Sequence, residues 1–170
     1  MKIHVCSLFD LPYYARDLRP GFLVSAIQPE FQPDTPPEVA IENHHRMAVH
    51  DIAGPAFGSV HTEYEHIENL INFLQVWSNS NESLLIHCYA GISRSTAVAL
   101  LALFIKKQCD EFDAAMALRD AAPHAKPNQL IISLADEILT LNGRLVAAVD
   151  AMGSGIPTSE GPLVSLAIDA

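Results

Sequence analysis

Residues 84–95 read Leu84-Leu85-Ile86-His87-Cys88-Tyr89-Ala90-Gly91-Ile92-Ser93-Arg94-Ser95. Leu84-Leu85-Ile86 is a short apolar run of the kind a strand buried on both faces requires. From Arg94 to Gln108 the chain is apolar and helix-forming, with Lys106 and Lys107 in its last turn, where they complement the helix dipole. His87–Ser93 is therefore a loop that joins a buried strand to a helix N-terminus. Such a loop aims successive backbone N–H groups into one concavity, reinforced by the positive end of the helix dipole. Gly91 admits a backbone conformation that residues with a Cβ resist. A nest of this kind binds a tetrahedral oxyanion, and Arg94 can grip two of its oxygens with a planar fork. Cys88, at the base of the nest, sits in the same field, which favours a nucleophilic thiolate. Alone, a cysteine reads as a small buried hydrophobe. The combination of His87, Cys88, Gly91, Arg94 and Ser95 in a strand–loop–helix context does not.

Towards the N-terminus, Lys2–Leu8 and Phe22–Ile27 are partly β-branched strand candidates, and Leu11–Leu18 can form a short helix between them. The proline-rich stretch Gln28 to Pro37 disfavours helix, because each proline restricts its predecessor to extended conformations. His45–Val49 can form another strand, ending at Asp51. From about Val60 to Trp77 the period becomes 3.6, with Tyr64, Ile67, Leu70, Ile71, Leu74 and Trp77 on one face. Ser78-Asn79-Ser80-Asn81 stops that helix. Asp113–Ala121 reads as a further helix closed by Pro123, and Asn128–Met152 as another, broken near Gly143. Strands mixed with helices around a buried strand predict an α/β layered domain. That domain spans residues 1–152, and residues 153–170, punctuated by Gly, Pro and Ser, read as a mobile C-terminal tail.

Composition excludes several classes of function. The 170 residues are 49% hydrophobic and carry ten Lys+Arg against twenty Asp+Glu, a formal charge of −10. That length is one domain able to bury a core. The charge argues against nucleic acid, whose binder must neutralise many phosphates, and against adsorption to anionic membranes. Three scattered cysteines (Cys6, Cys88 and Cys109) make no disulfide framework and fit a reducing compartment. The start MKIHVCSLFD has no apolar core of a signal peptide. The longest apolar stretch, Thr96 to Ile105, is half of what a membrane span needs. A soluble, cytoplasmic protein is expected.

The residues His87, Cys88, Gly91, Arg94 and Ser95 resemble the His-Cys-x5-Arg-Ser/Thr signature of the cysteine-based protein tyrosine phosphatases. The wording His-Cys-x-Ala-Gly-x-Ser-Arg-Ser is most similar to the compact dual-specificity and bacterial tyrosine phosphatase branch. The resemblance implies a phosphatase-like fold with a central, mostly parallel sheet flanked by helices. It also implies a phosphocysteine intermediate, and no metal or other cofactor. Carried over residue by residue, Cys88 attacks phosphorus, while Arg94 and the amides of the phosphate loop (the P-loop) at Tyr89, Ala90, Gly91, Ile92, Ser93 and Arg94 bind the equatorial oxygens. Ser95 donates to the cysteine sulfur and makes it a better leaving group. His87 orders the loop. The resemblance implies phosphoprotein substrates and inhibition by phosphate-like oxyanions such as vanadate.

The first step also needs an acid to protonate the leaving oxygen. In the family this is an Asp on a loop before the cysteine, and Asp51, 37 positions upstream of Cys88, fits. It follows a strand, at the sheet edge where active sites of open α/β sheets collect. An aspartate there is also an ordinary turn starter. Glu63 and Glu65 are rivals, although acids in the first turn of a helix are favoured anyway. Arg119, Pro123, Pro127 and Asn128 resemble the segment that follows the loop helices, with Asn128 or Gln129 near the hydrolytic water. His44, His45, His50, His61 and His66 lack the repeating spacing of a metal site and read as surface or loop histidines.

None of Tyr89, Ala90, Ile92 and Ser93 is basic, which disfavours polyphosphoinositides. Phosphotyrosine is expected as substrate, with phosphoserine and phosphothreonine accepted if the pocket is shallow. The wall of that pocket is expected around Leu11–Pro20. Two rival readings keep the anion nest: a rhodanese-like sulfurtransferase, and a non-catalytic phosphoprotein-binding module.

Overall fold

The computed structural model describes residues 1–168. In chain order the elements are β1 (Lys2–Ser7), α1 (Leu11–Leu18), β2 (Phe22–Ala26), β3 (His44–Met47), α2 (Tyr64–Ser78), β4 (Leu84–Cys88), α3 (Arg94–Lys107), α4 (Glu111–Ala121), α5 (Gln129–Ile138), α6 (Arg144–Ala151) and β5 (Val164–Ala167). Single 3₁₀ turns at Pro29–Phe31 and Ile41–Asn43 punctuate the long connection between β2 and β3. The sheet order is β3-β2-β4-β1-β5. The first four strands run parallel, and only β5 is antiparallel, along the outer edge of β1. This is the α/β architecture the sequence predicts.

β4 lies at the centre of the sheet, paired on both sides and buried along its whole length. The two faces of the sheet carry cores of unequal size. Ile3, Val5, Val24, Ala26, Met47 and Ile86 point into the larger, against α2 to α6. Cys6, Leu23 and Leu85, one residue out of step, point into a small cluster closed by Leu11, Ala15 and Val39. That alternation is the period of two of a pleated sheet. α3 is buried from Arg94 through Leu103. A fully buried leucine such as Leu100 contributes about 1.5–3 kcal/mol. Packing on all sides therefore fixes the axis of the helix that carries Arg94 and Ser95.

The interruption expected near Gly143 separates α5 from α6. Buried Asp136 causes it, accepting from Gly143 N at 2.6 Å and Leu145 N at 2.8 Å. The reading of 153–170 as a mobile tail is corrected at 164–167, which pair with β1 from Lys2↔Ala167 to Val5↔Val164. A four-residue strand is too short to stand out by periodicity, and here an open sheet edge supplies its partner. Residues 169 and 170, which that reading also covered, lie outside the described residues. No helix among the described residues is long and apolar enough to cross a membrane.

Candidate active site

Four carbonyls of the loop between β4 and α3 are held from behind. Tyr89 O accepts from Leu8 N at 3.1 Å, Ala90 O from Gly161 N at 2.8 Å, Ile92 O from Lys126 N at 3.0 Å and Ser93 O from Asn128 N at 3.3 Å. In a trans peptide the N–H opposes the C=O. With these carbonyls turned outward, the amides of residues 90, 91, 93 and 94 turn the other way, into one bowl. Gly91 has φ +73°, and a Cβ there would come within 3.1 Å of the Cys6 carbonyl. The turn and the close approach of β1 both require glycine at this position.

Cys88 lies at the floor of the bowl, 2% exposed. Gly91 N donates to its Sγ at 3.3 Å, and Ser95 Oγ lies 3.1 Å from the same sulfur. Both contacts stabilise negative charge on sulfur when they donate. Arg94 is 3% exposed. Its Nη1 donates to Val49 O at 2.8 Å and to Gln28 Oε1 at 2.9 Å, which anchors the guanidinium to the ends of β2 and β3. Its Nε is buried without a hydrogen-bond acceptor, 3.9 Å from Asp51 Oδ2. A buried guanidinium N–H that the protein leaves unmatched fits an anionic ligand.

Asp51 sits on the rim, where its Oδ1 accepts from Ser93 Oγ at 2.7 Å and from Asn128 Nδ2 at 2.8 Å. It therefore faces the same cavity as Cys88 and Arg94, a space of about 440 Å³. Glu63 and Glu65 do not line that cavity. Glu63 is the N-cap of α2, in a reciprocal capping arrangement with His66, and Glu65 lies in the first turn of that helix. Asn128 caps α5, accepting from Ile131 N at 3.1 Å, while its amide holds Asp51. Gln129 faces a separate groove. Arg119 does not line the cavity; it donates to the Met152, Ala122, Pro123 and Gly153 carbonyls, pinning α4 to the end of α6.

His87 is fully buried, and burial and the Arg94 charge together hold its imidazole down to about 4, against the opposing hydrogen bond to Cys88 O. Its Nε2 lies 2.6 Å from Ser25 Oγ. In the His-rich region the reading as surface or loop histidines is corrected for His44 and His45, which lie on β3. His44 is buried against Ser25 and Thr35, and His45 Nε2 is buried without a hydrogen-bond partner among the described residues. The other three are separately engaged. His50 Nδ1 accepts from Val60 N, His66 Nδ1 accepts from Glu63 N, and His61 stands 3.5 Å from Glu63. Cys6 is buried between β1 and α1, and burial pushes its thiol up.

The wall of the cavity differs from the sequence expectation. Tyr13 and Tyr14 lie on α1, outside the lining, and Gln28 and Phe31 from the proline-rich loop take that place. Phe31 and Tyr89, ring centroids 5.6 Å apart, line the cavity as partly exposed aromatics, and Phe9 packs edge-on against Tyr89 at 5.4 Å. Gln28 was findable by the rule that selected Asp51, since it too leaves the C-terminal end of a parallel strand.

The model of one protein family, the dual specificity phosphatase catalytic domain, matches residues 35–137. No curated protein matches the sequence. Solved structures of the same fold include human DUSP28, with TM-score 0.64 and 18% identity over 82% of this chain and 90% of that one. A mouse putative dual specificity phosphatase complexed with zinc tungstate is 20% identical, with TM-score 0.59 and 84% of both chains covered. PTPMT1 in complex with PI(5)P is 14% identical, with TM-score 0.59 over 82% of this chain and 94% of that one.

Proposed function

Because the chain belongs to the dual specificity phosphatase catalytic-domain family, we propose that this protein phosphatase works through a phosphocysteine at Cys88 and acts chiefly on phosphotyrosine. The observation that carries the mechanism is the Cys88 sulfur at the floor of an amide bowl, with Gly91 N at 3.3 Å and Ser95 Oγ at 3.1 Å. The thiolate attacks phosphorus in line, and the bond from phosphorus to the tyrosyl oxygen breaks as Asp51 gives that oxygen its proton. The loop amides and Arg94 hold the charge of the three equatorial oxygens. Water then attacks phosphorus, Asp51 takes a proton back, and the S–P bond breaks with Ser95 donating to the departing sulfur. A neutral, buried His87 supports an ordering role over a basic one.

The substrate class rests on the mouth of the cavity. Arg94 is the only lysine or arginine among the described lining residues, and Phe31 and Tyr89 supply aromatic surface beside it that suits an aryl phosphate. A lining with a single such cation suits one phosphate better than a polyanionic headgroup, unlike a role inferred from the PI(5)P complex of PTPMT1. Zinc tungstate in the mouse relative is consistent with tetrahedral oxyanions, vanadate included, as inhibitors.

Rapid-quench mass spectrometry during turnover of p-nitrophenyl phosphate tests the intermediate. A phosphoryl adduct on the Cys88 peptide is expected, and Cys88→Ser should lose turnover while still binding phosphate. Turnover by the serine variant would refute the assignment. Faster thiosulfate-to-cyanide transfer than phosphate release would favour a sulfurtransferase, and tight phosphotyrosine binding without release of phosphate would favour a binding module.

A further inference from the structure

Five side chains form a continuous hydrogen-bonded line across the minor face of the sheet, from the surface of β3 to the peptide of Cys88. Arg46 Nη2 donates to Thr35 Oγ1 at 3.0 Å. Thr35 Oγ1 lies 2.9 Å from His44 Nδ1, and His44 Nε2 lies 2.7 Å from Ser25 Oγ. Ser25 Oγ lies 2.6 Å from His87 Nε2, and His87 Nδ1 lies 3.4 Å from Cys88 O. The pairing register places these residues side by side, with Ser25 opposite both Arg46 and His87. Ser25 is 0% exposed, His87 0% and His44 7%, so no water competes for the inner links.

The direction of the protons follows from counting donors. A serine or threonine hydroxyl has one hydrogen, and a neutral imidazole has one N–H and one bare nitrogen. If His87 carried its proton on Nε2, the bare Nδ1 would oppose the Cys88 carbonyl, lone pair against lone pair. Thr35, already accepting from Arg46, would also accept from His44. The opposite direction leaves every group matched: Arg46 to Thr35, Thr35 to His44 Nδ1, His44 Nε2 to Ser25, Ser25 to His87 Nε2, and His87 Nδ1 to Cys88 O.

We propose that Ser25, His44 and Thr35 are positioning residues for the phosphatase reaction, forming a one-way relay that sets the His87 ring and, through it, the nucleophile's peptide. The proposal rests on the reading of Cys88 as nucleophile. The same proline-rich loop sends Gln28 to Arg94 and Thr35 into the relay. One surface connection therefore steadies both the guanidinium and the sulfur-bearing strand end. Buried polar networks of this kind hold a unique geometry only when every member is matched.

Long-range proton–nitrogen NMR of the imidazoles in the full chain at neutral pH tests it. His87 is expected as the Nδ1–H tautomer and His44 as the Nε2–H tautomer, with assignments from His44→Gln. Thr35→Val, at a half-buried surface position, removes only the outer hydroxyl. It should shift the His87 nitrogens and lower kcat on p-nitrophenyl phosphate several-fold, and Thr35→Ser should restore both. Reversed tautomers, or wild-type His87 shifts or wild-type turnover in Thr35→Val, would overturn the relay. The nitrogen shifts report on the chain whether or not phosphate is hydrolysed, so failure of the relay is distinguishable from failure of the phosphatase mechanism.

Discussion

At the scale of single residues, Asn128 does two jobs that can be separated. Its Oδ1 caps α5 and its Nδ2 holds Asp51 Oδ1 at 2.8 Å. Loss of an N-cap costs about 1 kcal/mol. Asn128→Ser keeps a capping oxygen but gives up the amide donor, so its stability should stay near wild type while turnover of aryl phosphates falls. Asn128→Ala should lose both, and equal kcat for Asn128→Ser and wild type would deny the link to Asp51. Asp51→Asn should slow substrates with poor leaving groups by about 10²-fold or more, within the range for general acids. A dependence on leaving-group basicity as flat in the variant as in wild type, or a near-normal rate in the variant, would count against Asp51 as the acid. Ser95→Ala should slow the steady state far more than the first burst of phenolate, because the hydroxyl matters most when the sulfur leaves phosphorus and regains its full charge.

The element that matters most beyond the loop itself is the segment from Gly153 to β5. It straps the back of the phosphate loop: Gly161 N donates to Ala90 O at 2.8 Å, and Glu160 Oε1 accepts from Ser7 Oγ at 2.6 Å. A Cβ on Gly161 would meet His124 Nε2 at 2.6 Å and Gly91 O at 2.8 Å, closer than side chains tolerate. Gly161→Ala should therefore push on the loop where it bends around the sulfur. Weaker inhibition by phosphate and lower kcat/KM are expected, with the far-ultraviolet dichroism unchanged. Inhibition and kinetics equal to wild type would show that the strap does not bear on the bowl. Removing the segment outright would also bare the edge of β1, an invitation to strand pairing between molecules, so the point substitution is the cleaner test.

The molecule as a whole keeps several histidines neutral inside it. Burial holds His44, His45 and His87 down to about 4 and lowers His4 and His124 as well. The unfolded chain takes up these protons near pH 6.5 and the folded one does not. Stability is thus fully present above about pH 6.5 and declines as pH falls towards 4. Melting temperature should drop between pH 7 and pH 5, and an unchanged value across that interval would contradict the burial. The charge of −10 adds a second expectation at this scale: inositol polyphosphates should be poorer substrates than phosphotyrosine, most clearly at low salt. The sequence by itself determined the parallel-sheet class, the loop from His87 to Ser95 and the candidate roles of Cys88 and Arg94. Those features are written in local spacing, with an apolar strand, a glycine and a helix start within twelve residues. Asp51 came from the upstream acid that the family resemblance implies, with its strand exit as local support. Only the tertiary structure decided that Gln28 and Phe31 wall the cavity, that Asn128 holds Asp51, that Ser25 links His44 to His87, and that residues 164–167 close the sheet. Each of those depends on which strands, loops and helix ends lie side by side, and a long-range contact leaves no period in the chain that makes it.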